Sequence, residues 1–201
     1  MKQILNRYQF DDMMVCYEIN DEKQVGLFLY PADKPLEKCA NPDTAIDSLV
    51  QLKIAGDMYN GAYAPGNTLR NGESTIRMKY VSQKLTEENN VQTVITVMED
   101  DRGYQVTHKL SHVQGEKVLR AECEFLNKSA EAVKLEMFES VSLSEISQVM
   151  KQESSWFIVC RADGVRRDVF SPRVLKNFSW MYHGQKKRYA VKDSGRQALC
   201  L

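Results

Sequence analysis

The chain has 201 residues, 43% of them hydrophobic, and its 27 basic and 27 acidic side chains cancel to a net charge of zero. That is enough apolar material to core one domain, the balanced charge gives no bulk attraction to nucleic acid or an anionic membrane, and no apolar run approaches the roughly 20 residues of a membrane span. Five cysteines, Cys16, Cys39, Cys123, Cys160 and Cys200, are odd in number and form no CxxC pair; with no apolar core and cleavage site in the leading residues Met1–Tyr8, they are expected to be buried, reduced thiols in a cytoplasm.

Alternation with a period of two dominates the pattern. Met14–Ile19 reads as a strand, a charged turn follows at residues 20–24, and Val25–Tyr30 reads as a second strand stopped by Pro31. Leu49–Ile54 alternates again. After a Gly-rich loop, Thr75–Leu85 reads as one strand and residues 86–90 as a turn cluster. Val91–Glu99, the turn Asp100-Asp101-Arg102-Gly103, Tyr104–Val113, Val118–Phe125 and Val133–Ser140 complete a meander with apolar residues on one face and charges on the other. Ser142–Met150 is compatible with a short helical turn. Trp156–Cys160, Arg166–Phe170 and residues 186–191 read as further strands. Many short strands with almost no helix predict an all-β fold, an antiparallel sandwich, with residues 1–201 as a single domain.

Chemistry-bearing clusters are sparse. His108 and His112 fall on one face of a strand but about 13 Å apart at ~3.3 Å per residue, too far to share a metal. No serine lies in a nucleophile-elbow motif. Asp100 and Asp101 sit in a turn and are expected to be solvated turn residues. Glu136 and Glu139 fall on opposite strand faces and cannot flank one bond. The run Lys186-Lys187-Arg188 reads as a solvated strand end. The segment from Gly56 to Asn71, Gly-Asp-Met-Tyr-Asn-Gly-Ala-Tyr-Ala-Pro-Gly-Asn-Thr-Leu-Arg-Asn, stands apart. It supports two readings. In one, Asp57, Tyr59, Arg70 and Asn71 form a sugar-facing or partner-facing cluster, the aromatic ring stacking on a sugar while Asp and Arg bond its hydroxyls. In the other it is a long loop held by Asx and Gly turns.

Taken in order, several motifs resemble the N-terminal domain of glycoside hydrolase family 36 α-galactosidases. They are Gly56-Asp57-x-Tyr59-x-Gly61 with Gly66-x-Thr68-x-Arg70-Asn71, then Tyr80-Val81-Ser82-Gln83, then Glu99-Asp100-Asp101-Arg102-Gly103-Tyr104. Leu135-Glu136-Met137, Ser142-Leu143-Ser144-Glu145-Ile146-Ser147, Ala162-Asp163-Gly164, and Trp180 with His183-Gly184 continue the order to about residue 190. Cys160-Arg161 stand where the family usually has Trp-Ser. The resemblance implies a galactose mutarotase-like β-supersandwich that supports oligomer contacts and shapes a substrate site. In that family the two catalytic aspartates lie on a separate (β/α)₈ barrel, and no residue here matches either. The chain itself is therefore expected to be catalytically silent, with a retaining carboxylate pair ~5 Å apart lying beyond Leu201. No cofactor and no metal are implied. The expected partners are a galactoside, a catalytic barrel domain or a second copy of the chain. The candidate binding residues carried over are Asp57, Tyr59, Arg70 and Asn71. A stand-alone carbohydrate-binding module and a purely structural oligomerisation domain are the alternatives.

Overall fold

A computed structural model of the chain describes residues 1–33, 45–58 and 70–143 in full and residues 175–182 by their backbone. The described residues form an all-β antiparallel sandwich with one short helix. Strands β1 (Lys2–Phe10), β2 (Met13–Asn20) and β3 (Val25–Pro31) make one sheet in chain order. Strands β5 (Lys79–Glu88), β6 (Val91–Glu99), β7 (Tyr104–Val113), β8 (Val118–Asn127) and β10 (Leu175–Tyr182) make a second, ordered β10-β8-β7-β6-β5. A third pairs β4 (Leu52–Ile54) with β9 (Leu135–Phe138), and helix α1 (Glu73–Arg77) leads into β5.

Alternation sets the core. On β6 to β8, Val94, Met98, Val106, Leu110, Leu119, Ala121, Cys123 and Phe125 are buried on one face together with Thr96 and His108, and the alternate residues on the other face are partly solvated or exposed. They pack on Phe10, Met13, Val15, Tyr17, Val25 and Leu27 of the three-stranded sheet, joined by Leu52, Ile54 and Phe138 from the small one. At about 25 cal/mol per Å² of apolar surface, this shared core is the main stabilising term. The three-stranded sheet is apolar on both faces. Cys16, Phe28 and Tyr30, with Ile4 and Met14, form a second buried cluster behind it. Beside that cluster, Lys2 and Glu18 form a buried ion pair at 3.4 Å.

Turn chemistry fixes the registers. Asn89 and Asn90 adopt φ of +51° and +63°, the two left-handed residues of a tight hairpin that asparagine tolerates. Gly103, at φ +88°, closes the β6–β7 turn. Gly26 serves a close approach instead. A Cβ there would stand 2.9 Å from the Asp47 carbonyl oxygen, and the adjoining segment docks on β3 through the Leu49 N–H to the Val25 carbonyl, at 2.7 Å.

Most of the expected strands are present. Val91–Glu99 and Tyr104–Val113 coincide with β6 and β7, Met14–Ile19 lies within β2, and Val25–Tyr30 within β3. Only Leu52–Ile54 of the expected Leu49–Ile54 strand joins a ladder, because Leu49 is engaged by β3. The expected strand from Thr75 is corrected. Residues Glu73–Arg77 are helical, with Glu73 in the first turn, Arg77 in the last and an i,i+4 ion pair between them at 3.0 Å. Strand β5 starts after that turn. β1 and β10 are additions. The expected elements at 144–150, Trp156–Cys160, Arg166–Phe170 and 186–191 lie outside the described residues, as do Cys39, Cys160 and Cys200. Cys16 and Cys123 are buried thiols that form no disulfide, and burial pushes the Cys123 thiol well above its ordinary range.

His108 and His112 both lie on the buried face of β7. The His112 ring stacks on Phe10 at 5.3 Å and its Nε2 lies 2.8 Å from the Glu116 carbonyl oxygen. His108 is fully buried, and neither of its ring nitrogens makes a hydrogen bond of good geometry. Burial pushes its pKa from 6.5 down to about 3, and a nearby Ser140 carbonyl opposes this only in part. Between these two values the unfolded chain binds a proton that the native state refuses, so stability contributed by neutral His108 is lost as pH falls through this window. The difference in unfolding free energy between wild type and His108→Leu, measured by urea denaturation, should shift against the wild type by about 1.4 kcal/mol per pH unit below pH ~6.5. A difference that stays constant with pH would show that His108 is not held neutral.

Candidate functional site: the base of the 56–71 loop

Gly56, at φ +95°, turns the chain out of β4 and presents Asp57. The Asp57 carboxylate is almost completely buried, its side chain 4% exposed. Its Oδ2 accepts from the Ile54 N–H at 2.9 Å and the Ser74 N–H at 3.3 Å, and its Oδ1 accepts from the Ser74 hydroxyl at 2.8 Å. Arg102 Nη1 stands 3.5 Å from the same Oδ1. One carboxylate thus ties the end of β4, helix α1 and the β6–β7 turn together.

Arg102 spreads its planar fork over three partners. Nε donates to Asp100 Oδ2 at 2.7 Å, Nη2 to the Ser74 hydroxyl at 2.8 Å, and Nη1 faces Asp57. Its guanidinium also lies 5.0 Å from the centre of the Tyr104 ring. The expectation that Asp100 and Asp101 are both solvated is half corrected. The Asp100 side chain is fully buried, and its Oδ1 accepts from the backbone N–H groups of Arg102 and Tyr104 at 3.0 and 2.9 Å, so it shapes the turn from inside. Asp101 points outward and takes both oxygens to Arg77 Nη1 at 3.2 Å. Arg77 reaches back to Glu73 through Nη2, and Glu73 Oε2 accepts the Met58 N–H at 2.9 Å. The Met58 N–H, then Arg77, hold the Glu73 carboxyl below the usual carboxylate range.

The other end of the loop is held by Asn71 in the left-handed region, φ +50°. Its N–H donates to Gln51 Oε1 at 2.7 Å, and its Oδ1 accepts from Gln51 Nε2 at 3.3 Å and the Ser48 N–H at 3.4 Å. Its Nδ2 donates to Asp47 Oδ1 at 3.3 Å. Arg70 pairs with Asp47 Oδ2 at 2.5 Å and keeps 53% of its side chain exposed.

Of the four candidate binding residues, the structure directs the polar atoms of Asp57 and Asn71 into the scaffold, at the two ends of the loop. Arg70 stands beside Asn71 and faces solvent along half its side chain. Tyr59 lies outside the described residues. Sequence reasoning did not single out Ser74, Gln51, Asp100 and Arg102 as the groups holding the loop. For Arg102 and Asp100 a signal exists in the Glu99–Tyr104 motif. For Ser74 and Gln51 none does, since each gains its role only when distant strands meet. Glu136 is engaged across the small sheet by Lys53 at 2.8 Å. Among the described residues no three His, Cys, Asp or Glu side chains converge to hold a metal. Asp57 and Asp100 flank one guanidinium and accept backbone N–H groups, which suits them to hold a loop and ill suits them to pass protons or attack a glycosidic carbon.

Removing a buried acceptor strands its donors. Asp57→Ala should cost about 3 kcal/mol in urea unfolding, from the unsatisfied N–H groups and the uncompensated guanidinium. Arg102→Lys keeps the charge but loses the fork and should cost about 1–2 kcal/mol. Wild-type stability for Arg102→Lys would mean that the three-way geometry contributes nothing beyond its charge.

No protein-family model matches the chain, and no curated protein matches it. Two solved structures resemble it, both of the family 36 α-galactosidase AgaA from Geobacillus stearothermophilus, one a single-residue variant in complex with 1-deoxygalactonojirimycin. Both share 12% identity with it, with TM-scores of 0.41 and 0.40, over 67% of this chain. The matched region spans 23% of the length of each solved chain. No helix among the described residues is long and apolar enough to cross a membrane.

Proposed function

We propose that residues 1–201 form a non-catalytic β-supersandwich domain of an α-galactosidase-like glycoside hydrolase, with the 56–71 loop turned towards a galactoside. The observation that carries this reading is the convergence at the loop's base. Asp57 belongs to one stretch of the family-like motif and Asp100 and Arg102 to another. Ser74 and the Arg102 fork join them into one network. Motifs scattered along the sequence thereby serve a single piece of architecture, as expected where their shared purpose is to hold that loop.

In this reading Asp57 and Asn71 are positioning residues for the loop's two ends. Tyr59 stacks on the apolar face of the sugar and Arg70 bonds its hydroxyls. The two carboxylates that cleave the bond belong to a separate barrel domain, the domain's partner along with a further copy of the chain. The setting is cytoplasmic, and the reaction draws on no cofactor or metal. Isothermal titration of the chain with raffinose should give a weak but measurable heat that Tyr59→Ala abolishes and Arg70→Ala weakens by about three- to tenfold, both variants melting as wild type. The absence of any heat from the wild type at saturating sugar would overturn recognition by this loop. Release of nitrophenol from p-nitrophenyl α-galactoside by the purified chain would overturn the non-catalytic assignment.

A further inference from the structure

We propose that the outer edge of β5 is a self-association edge, to which a second copy of this chain adds its own β5 antiparallel, with the two-fold axis at Thr86. This deepens the reading above by naming the contact through which such a domain assembles. β5 is the last strand of the five-stranded sheet, ten residues long, with no strand beyond it among the described residues. A long open edge presents a row of unpaired N–H and C=O groups and is normally blunted. Here only the first half is blunted, by a bulge between Tyr80 and Ser82. From Ser82 to Glu88 the strand pairs β6 without interruption, so that its other edge offers a regular ladder to a neighbour. Six of its ten residues are exposed, among them Leu85 at 44%.

The side-chain order then selects the partner and the register. A two-fold axis perpendicular to a continuous sheet keeps each residue on its own face, so it must pass through a residue that pairs with its own copy. An axis at Gln83 runs both strands into the bulge. Axes at Lys84 and at Glu87 set like charges against each other. At Leu85 the lysine faces a threonine. At Thr86, Lys84 lies opposite Glu88 of the second copy and Glu88 opposite its Lys84, while Thr86 meets Thr86. Lys84, Thr86 and Glu88 share one face, since they alternate along the ladder opposite Ile95, Thr93 and Val91, and Lys84 and Glu88 are both exposed. The face that carries Lys84, Thr86 and Glu88 is therefore complementary to itself in charge, while Leu85 lies opposite Glu87 on the other face, and the two Lys84–Glu88 pairs point to a second copy rather than a foreign strand.

Analytical ultracentrifugation of the full chain over a concentration series tests this. Wild type should show a concentration-dependent dimer. Lys84→Glu should raise its dissociation constant by at least about tenfold, and the swap Lys84→Glu with Glu88→Lys should restore it to within about threefold. A chain that stays monomeric throughout, a dimer indifferent to Lys84→Glu, or a swap that fails to restore it would each overturn the proposal. The raffinose heat separates the two ideas. A monomer that still binds sugar sinks this contact alone, and a dimer that gives no heat sinks the loop reading alone.

Discussion

The Arg102 guanidinium, set between two buried carboxylates, is the interaction on which the organised end of this molecule depends. Asp57 and Asp100 are withdrawn from water to 4% and 0% exposure, a placement that is costly for any carboxylate without partners. The cost is offset because a single fork reaches Asp57, Asp100 and Ser74, and because backbone N–H groups of residues 54, 74, 102 and 104 fill most of the remaining acceptor positions. A lysine could satisfy one of these partners at a time. The arginine satisfies them together, and so fixes three otherwise independent elements, β4, α1 and the β6–β7 turn, in one arrangement. The chain therefore leaves β4 through Gly56 and Asp57 from a fixed arrangement.

A second polar seam crosses the sandwich itself. Asn6 and Tyr8 of β1 both donate to Gln83 Oε1 of β5, at 2.7 and 3.2 Å, and Gln83 Nε2 donates to Thr96 on β6 at 2.8 Å. Apolar packing alone would let two sheets slide over one another with little penalty, because it has no direction. Hydrogen bonds that span the gap penalise such a slip by leaving partners unmade. The seam therefore contributes less to net stability than the core does, and more to the choice of one alignment between the sheets.

The strands β6, β7 and β8 were legible because each has one wet face and one dry face, so that apolar and polar residues alternate along the chain. β2 and β3 were legible as strands bounded by the charged turn at residues 20–24 and by Pro31, but the burial of both their faces was not, since an apolar run does not say how many layers cover it. Helix α1 was hidden because Glu73–Arg77 is only five residues long and Thr75 and Ile76 favour a strand. Its decisive partners, Asp57 for Ser74 and Leu52 for Thr75, lie about a score of positions away. The turn that opens the Gly56–Asn71 segment was legible from Gly56, which adopts φ +95°. Its fastening was not, because a carboxylate that holds a backbone and one that meets a ligand are written with the same letter.

The irregularity in β1 between Ile4 and Asn6 has a consequence for how this strand tolerates change in length. Positions 2, 4, 6, 8 and 10 look like one side of a regular ribbon. The extra residue divides them, sending Ile4 to the cluster around Cys16 while Tyr8 and Phe10 turn to the opposite side. Losing Leu5 would heal the ladder and leave every other side chain at its present address. Gaining one residue at the same point would exchange the two addresses, setting Lys2 towards oil and stripping it from Glu18. The amino-terminal strand is thus forgiving of a deletion and intolerant of an insertion, an asymmetry that no substitution at any of these positions would reveal.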